Sequence, residues 1–248
     1  MAYHPLITII TVTYNAQKDL EASIKSVIAQ SYPNIQYLII DGGSTDSTLE
    51  IIKKYEAHIS TWISEKDNGI YDAWNKGLQL ATGDWIAFLG ADDVYLPNAV
   101  EQYVQKLQQV DYATLDIITS KVQLVDENKV PFRVIGSAWN WNDFKRYMCT
   151  AHVGSLHSKS FYQKYGTYNT NYKIVGDYEI LLRPRDQLKA AFLDVITVEM
   201  TMGGISNQNN AALVEAYQAK LENNSRSPLL ARYDLMKANF IFFARNLF

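Results

Sequence analysis

The 248 residues, 48% of them hydrophobic, suffice for a sizeable core in one large domain. A formal net charge of −3 argues against nucleic-acid binding, which draws on a basic face. Cys149 is the only cysteine, so no intrachain disulfide forms and a reducing compartment is expected; with His152 and His157 it lacks the second Cys pair of a zinc pattern.

Residues 6–14, LITIITVTY, are a β-branched run read as a strand. The stretch is too short to span a bilayer and carries no basic leader, so a cytoplasmic protein is expected. Leu20, Ile24, Val27 and Ile28 then recur at helical spacing. IQYLIID (35–41) reads as a second strand, and Ser44 or Thr45 is placed to cap a helix bearing Leu49, Ile52 and Tyr55. STWISEK (60–66) is a short strand, and Ile70, Trp74, Leu78 and Ala81 form the stripe of a third helix ending near Gly83. DWIAFLGA (84–91) is a further strand; beyond Pro97, Val100, Tyr103, Val104 and Leu107 mark a fourth helix. Such alternation predicts an α/β fold, a mainly parallel sheet flanked by helices.

Past about residue 110 the pattern is irregular. Residues 116–126 and 190–200 read as strands, 139–144 as a loop or helix start, and 178–183 as the beginning of a helix. No linker separates the two halves, so one α/β unit is expected, the second half completing the sheet and forming the partner-substrate side.

Open parallel sheets bind ligands outside the carboxyl ends of their strands. The strands here run into Thr13-Tyr14-Asn15, Asp41-Gly42-Gly43-Ser44, Lys66-Asp67-Asn68-Gly69 and Asp92-Asp93. Singly these read equally as loop starts, a turn with a helix cap, and a solvated turn before Pro97; together they predict a site. No G-x-G-x-x-G or G-x-x-x-x-G-K-[ST] is present to cradle a diphosphate. Asp92-Asp93 instead offers the hard oxygens that Mg²⁺ or Mn²⁺ prefers, and a bound cation would relieve the repulsion between the two acids.

ITIITVTYNA, LIIDGGSTDST and EKDNGIYDAWNKGLQLATGDWIAFLGADD, in that order, resemble the family 2 inverting glycosyltransferases of the GT-A fold. The third segment carries a G-x-x-x-A-x-N-x-G pattern (Gly69, Ala73, Asn75, Gly77) running into the Asp-x-Asp region. HVGSLHSKSFYQKYGTYNTNYKIVGDYEILLR is similar to the family segment that leads to the catalytic aspartate, at Asp177. The resemblance implies a GT-A catalytic domain over 1–228, with a nucleotide-sugar half (1–110) and an acceptor half (111–228), and a C-terminal helix over 229–248. It implies donor contacts from Thr13, Tyr14, Asp41, Asp72, Asn75 and Asp92, a cation on Asp92 and Asp93, and Asp177 as general base. Asp177 also reads as a cap for a helix beginning at Tyr178. GGIS (203–206) looks like the family's loop after the last core strand.

Two departures stand out. Gly90 occupies a position where many members carry an acid, and the Gln-x-x-Arg-Trp signature and membrane helices of processive synthases are absent. The expected activity is therefore transfer of one sugar from a nucleoside-diphosphate sugar, a UDP-sugar, to a glycan or lipid-linked acceptor in cell-surface polysaccharide synthesis. Two alternatives stand beside it: an inactive sugar-binding module, and a metal-dependent sugar-phosphate nucleotidyltransferase. Trp139, Trp141 and His152, with Tyr147 nearby, are candidates for stacking on the acceptor, or are core. Residues 229–248 hold Arg232, Lys237 and Arg245 against one acid, Asp234, among many aromatics. That segment either lies on an anionic membrane at the inner face of the cell membrane or docks on the core or on another subunit of a homo-oligomer.

Overall fold

Residues 3–203 and 210–245, the side chains of Phe243 and Arg245 excepted, are described by the computed structural model. Of GGIS only Gly203 lies within them, and the last three residues of the expected C-terminal segment lie outside.

The first half runs β1 (Ile7–Thr13), α1 (Leu20–Ile28), β2 (Ile35–Asp41), α2 (Thr48–Lys54), β3 (Thr61–Ser64), α3 (Ile70–Leu80), β4 (Trp85–Gly90), β5 (Val94–Tyr95) and α4 (Ala99–Gln109). The second runs β6 (Ile117–Val125), β7 (Pro131–Ile135), α5 (Trp141–Phe144), β8 (Ser155–Ser158), α6 (Lys159–Tyr165) and α7 (Gly176–Leu182). It finishes with β9 (Ala190–Thr201), α8 (Ala211–Glu222) and α9 (Pro228–Arg245).

Among the described residues the strands form one sheet in the order β3-β2-β1-β4-β8-β6-β9-β5, with β7 on the edge of β6. The β3-β2-β1-β4 stretch is wholly parallel. β8 then enters antiparallel to both β4 and β6, while β6 and β9 pair parallel through shifted registers.

Strand alternation divides the interior in two. Ile9, Ile39, Trp85 and Leu89 face one core with Leu20 and Ile24 of α1 and Val100 and Val104 of α4. Ile10, Leu38, Ile86 and Phe88 face the other with Tyr71 of α3, Phe161 of α6 and Ile180 of α7. α3 lies close on the sheet because residue 77 is glycine. A Cβ there would sit 2.6 Å from Cγ2 of Ile10.

Two helix starts differ from expectation. α2 begins at Thr48 behind Ser47, not behind Ser44 or Thr45, and the side chain that meets its first turn is Asp46, which accepts from the Thr48 amide. Ser44 is used elsewhere, in the loop below. α7 begins at Gly176, so Asp177 lies inside its first turn and does not cap it.

Candidate active site

The parallel register sets the site. Thr13 pairs with Asp41, Asp41 with Ser64, and Val12 with Gly90, so four strands end level with one another along one rim. Thr13 is buried and its hydroxyl has no hydrogen-bond partner, an orphaned polar atom at the end of β1. Tyr14 beside it is 63% exposed.

Asp41 is fully buried and its oxygens are heavily engaged. They accept from the amides of Gly43 and Ser44, each at 3.0 Å, and from the hydroxyls of Ser44 at 2.5 Å and Ser64 at 2.6 Å. Ser44 also accepts from the Asn15 amide, and Asn15 Oδ1 accepts from the Thr45 amide. The carboxylate thus tightens the loop after β2 against the loop after β1. A donor contact from Asp41 would be made through the loop it shapes.

Gly42 brings in Asp67, one of the polar residues that follow β3. A Cβ at Gly42 would collide with Oδ2 of Asp67 and lie 3.6 Å from the Tyr14 ring. Glycine therefore leaves room for the Asp67 carboxylate beside the loop after β2, with the exposed Tyr14 ring on the same side of Gly42. Asp67 also accepts from the Gly69 amide at 2.9 Å, turning the chain into α3.

The two candidates on α3 have other partners. Asp72 accepts from the Asn68 amide at 2.9 Å, securing the same turn. Asn75 donates to the Tyr168 carbonyl at 2.8 Å and accepts from the Tyr168 amide at 2.9 Å. Through these two bonds Asn75 ties α3 to the segment before α7.

The end of β4 brings two carboxylates together. A Cβ on Gly90 would lie 2.5 Å from Oδ2 of Asp93 and 3.0 Å from Oδ1 of Asp92, so both oxygens converge on the space left open by glycine. The Asp93 carboxylate takes up part of the space that a side chain at position 90 would enter. Asp93 is buried, accepts from the Thr201 amide at 3.0 Å, and is pushed up to about 7 by burial and then by the charge of Asp92. Lys129 Nζ reaches the Asp92 carbonyl at 3.1 Å, the Thr201 hydroxyl at 2.8 Å and the Asp19 carboxylate at 3.2 Å, and its charge pulls both Asp92 and Asp93 down against the effect of burial.

These donors suit a divalent ion. Two hard oxygens aimed into one gap match Mg²⁺ or Mn²⁺, which takes one or two carboxylates and completes its shell with water and phosphate oxygens. Among the described residues no cluster of three or more His, Cys, Asp or Glu side chains could enclose an ion by itself.

Asp177 lies in the first turn of α7, half-buried. Its Oδ1 accepts from the Tyr178 amide at 2.9 Å and lies 3.2 Å from the Tyr71 hydroxyl. That hydroxyl also lies 2.8 Å from the Ile174 carbonyl. Burial pushes Asp177 up to about 6, while the two hydrogen bonds pull it down. Gly176 admits the Tyr71 ring, since a Cβ there would come within 2.8–2.9 Å of three of its carbons. Tyr71, from the first full turn of α3, is thus a site residue that the sequence did not single out. No local spacing could have found it, because its partner is 106 positions away.

The aromatic candidates of the acceptor side belong mainly to the core. His152 is buried, its Nε2 is 2.7 Å from the Tyr168 hydroxyl, and its ring stacks on Trp74 at 4.5 Å. Burial holds it well below the ordinary histidine range, so it stays neutral. Trp139 packs on Phe144 at 4.3 Å, and Trp139 and Trp141 both lie half-buried against the second core. Tyr147, 57% exposed, is the aromatic of this stretch that presents itself to solvent.

The fold is that of solved GT-A structures. S. aureus TarS 1–349 in complex with UDP-GlcNAc superposes with a TM-score of 0.70 at 15% identity, covering 92% of this chain and 70% of that one. The mannosyltransferase PcManGT from Pyrobaculum calidifontis, in complex with GDP-Man and Mn²⁺, gives 0.63 at 14% identity, covering 98% and 76%. The sequence profile of Glycosyl transferase family 2 matches residues 8–162, and the chain belongs to that family. Relatives include a PGL/p-HBAD biosynthesis glycosyltransferase of Mycobacterium bovis, 29% identical over 212 residues, covering 82% of this chain and 80% of the relative. A Mycobacterium tuberculosis glycosyltransferase of uncharacterised role is 28% identical over 216 residues, covering 86% and 82%.

Proposed function

We propose that the protein transfers a single sugar from a nucleoside-diphosphate sugar to an acceptor hydroxyl with inversion, using Asp177 as the general base. The observation that carries this reading is the setting of Asp177, a half-buried carboxylate in a helical first turn, pushed up to about 6 and held by Tyr71 and the Tyr178 amide. Such a group is ionised at neutral pH yet basic enough to accept a proton. The helix N-terminus stabilises its charged form before the reaction.

As the acceptor oxygen attacks the anomeric carbon from the face opposite the diphosphate, its proton passes to the free oxygen of Asp177. The bond from the anomeric carbon to the diphosphate breaks, and the nucleoside diphosphate leaves. Asp92 and Asp93 would hold Mg²⁺ or Mn²⁺, which when bound neutralises charge developing on the leaving diphosphate. Tyr14, Asp67 and the loop built on Asp41 would receive the nucleoside, the exposed Tyr14 ring offering a stacking face.

A UDP-sugar donor is supported by the UDP-GlcNAc complex of TarS, whereas the GDP-Man complex of the Pyrobaculum enzyme keeps a guanine donor in the screen. The acceptor is taken to be a hydroxyl of a glycan or lipid-linked molecule in cell-surface glycan assembly; the Mycobacterium bovis relative is named for a biosynthetic role, in PGL/p-HBAD biosynthesis. The test is a thermal-shift screen of nucleotide sugars with Mn²⁺, followed by product analysis. Release of nucleoside diphosphate upholds the reading; release of pyrophosphate from a sugar phosphate and a nucleoside triphosphate would replace it with nucleotidyl transfer.

A further inference from the structure

We propose that the outer face of α9 is a membrane-surface anchor that lies on an anionic bilayer. α9 is apolar on two opposite sides. Its inner side packs on α8: Ala231 is fully buried, and Leu235 and Ala238 line a cavity with Ala212 and Ala216. On the outer side Leu229, Tyr233, Met236 and Phe240 are 84%, 59%, 64% and 75% exposed. Their spacing of i, i+4, i+7 and i+11 makes one continuous stripe along the helix. Leu230 and Ile241, also exposed, continue the apolar surface beyond Lys237 on one side.

The charges around the stripe identify its occupant. Arg232 and Lys237 are exposed and lie on opposite flanks of the stripe. The only acid of the helix, Asp234, faces inward and is taken by Arg226 at 2.9 Å and Lys220 at 3.6 Å. Although the whole chain has a formal charge of −3, the exposed charges that α9 sets beside this apolar stripe are therefore the cations Arg232 and Lys237. An apolar stripe bordered by basic residues is the pattern of a helix lying in the headgroup region, where the stripe enters the acyl boundary and the cations meet anionic lipid. Among the described residues no helix is long and apolar enough to cross the membrane, so the contact is with its surface. The face also has a useful position: α9 packs on α8, and α8 on α7, the helix that carries Asp177.

The test is co-sedimentation of the full chain with vesicles of phosphatidylcholine, with and without roughly one quarter phosphatidylglycerol. The wild type is expected to bind the anionic vesicles at least about tenfold more strongly than the neutral ones, with the difference lost at high salt. A Met236→Gln, Phe240→Gln variant should lose that binding, and Arg232→Gln, Lys237→Gln should lose the anionic preference. Both should keep the wild-type melting temperature, because these side chains make no buried contact. A wild type that fails to sediment with either vesicle, or variants that sediment as it does, would overturn the proposal. So would a wild-type dimer in light scattering that Met236→Gln, Phe240→Gln converts to monomer, since a second copy would then be the occupant. None of these readouts requires sugar transfer, so the outcome is independent of the proposed activity.

Discussion

The Tyr71 hydroxyl stands 3.2 Å from Oδ1 of Asp177 and 2.8 Å from the Ile174 carbonyl, with one proton to share between two acceptors. When that proton points at Asp177 it favours the carboxylate; when it points at Ile174, Asp177 faces an oxygen lone pair. The first arrangement lowers the basicity of Asp177 and the second raises it. Tyr71→Phe removes the choice, and with it a bond that holds Asp177 down. The acid limb of the kcat/KM profile is then expected to move to higher pH, by roughly half a unit to one unit, with donor affinity unchanged. An unmoved limb would separate Tyr71 from the base.

For the wild type, kcat/KM should fall about tenfold per pH unit below roughly pH 6, because only ionised Asp177 can accept a proton. Stability runs the opposite way. The folded state raises this carboxyl above its ordinary value, so the contribution is most favourable below about pH 4 and is lost as pH rises through about 6. Asp177→Asn should therefore leave the protein inactive yet more stable by on the order of 1–2 kcal/mol at pH 8, with little change at pH 4. Urea titrations at the two pH values check the difference.

At the end of β4, Asp92→Asn combined with Asp93→Asn should abolish the Mn²⁺ dependence of nucleotide binding measured by calorimetry. Gly90→Ala is the more searching substitution. Its methyl would occupy the space on which the Asp92 and Asp93 oxygens converge, driving the pair apart. Mn²⁺-dependent affinity is expected to drop at least about tenfold, since carboxylate ligands tolerate little displacement around a small ion. Retained affinity would place the ion elsewhere.

Gly77→Ala is its structural counterpart. Here the added methyl meets Ile10 beneath α3, away from the cation, and should cost roughly 1–3 kcal/mol of stability by overpacking. Nucleotide affinity at a temperature where the variant is folded should stay near wild type. A melting temperature unchanged from wild type would mean that α3 lifts without strain.

The parallel half was legible because its strands are continuous apolar runs and its helices repeat at i and i+4, signals that survive without tertiary context. The second half was not, for local reasons. β8 is four residues, SLHS, and its pairing to β4 and β6 rests on long-range contacts. β7 is an exposed edge strand with no buried face to impose alternation. The rim residues could be read from where strands stop, but their roles needed geometry. Asp41 looks from sequence like a ligand contact and in the fold tightens two loops. Asn75 was expected at the donor and holds Tyr168, 93 positions away. His152, in a stretch rich in polar and aromatic residues, is drawn into the core by Trp74 and Tyr168.

The most direct test of Asp177 as an inverting base needs no acceptor. The nucleotide sugar that most stabilises the protein with Mn²⁺ is incubated with wild type and with Asp177→Asn, and slow transfer of the sugar to water is followed by proton NMR. Wild type is expected to release first the anomer opposite to that of the donor, and Asp177→Asn to release sugar at less than about one hundredth of that rate while still binding the nucleotide. First appearance of the donor's own anomer, or an Asp177→Asn rate within about tenfold of wild type, would contradict the assignment.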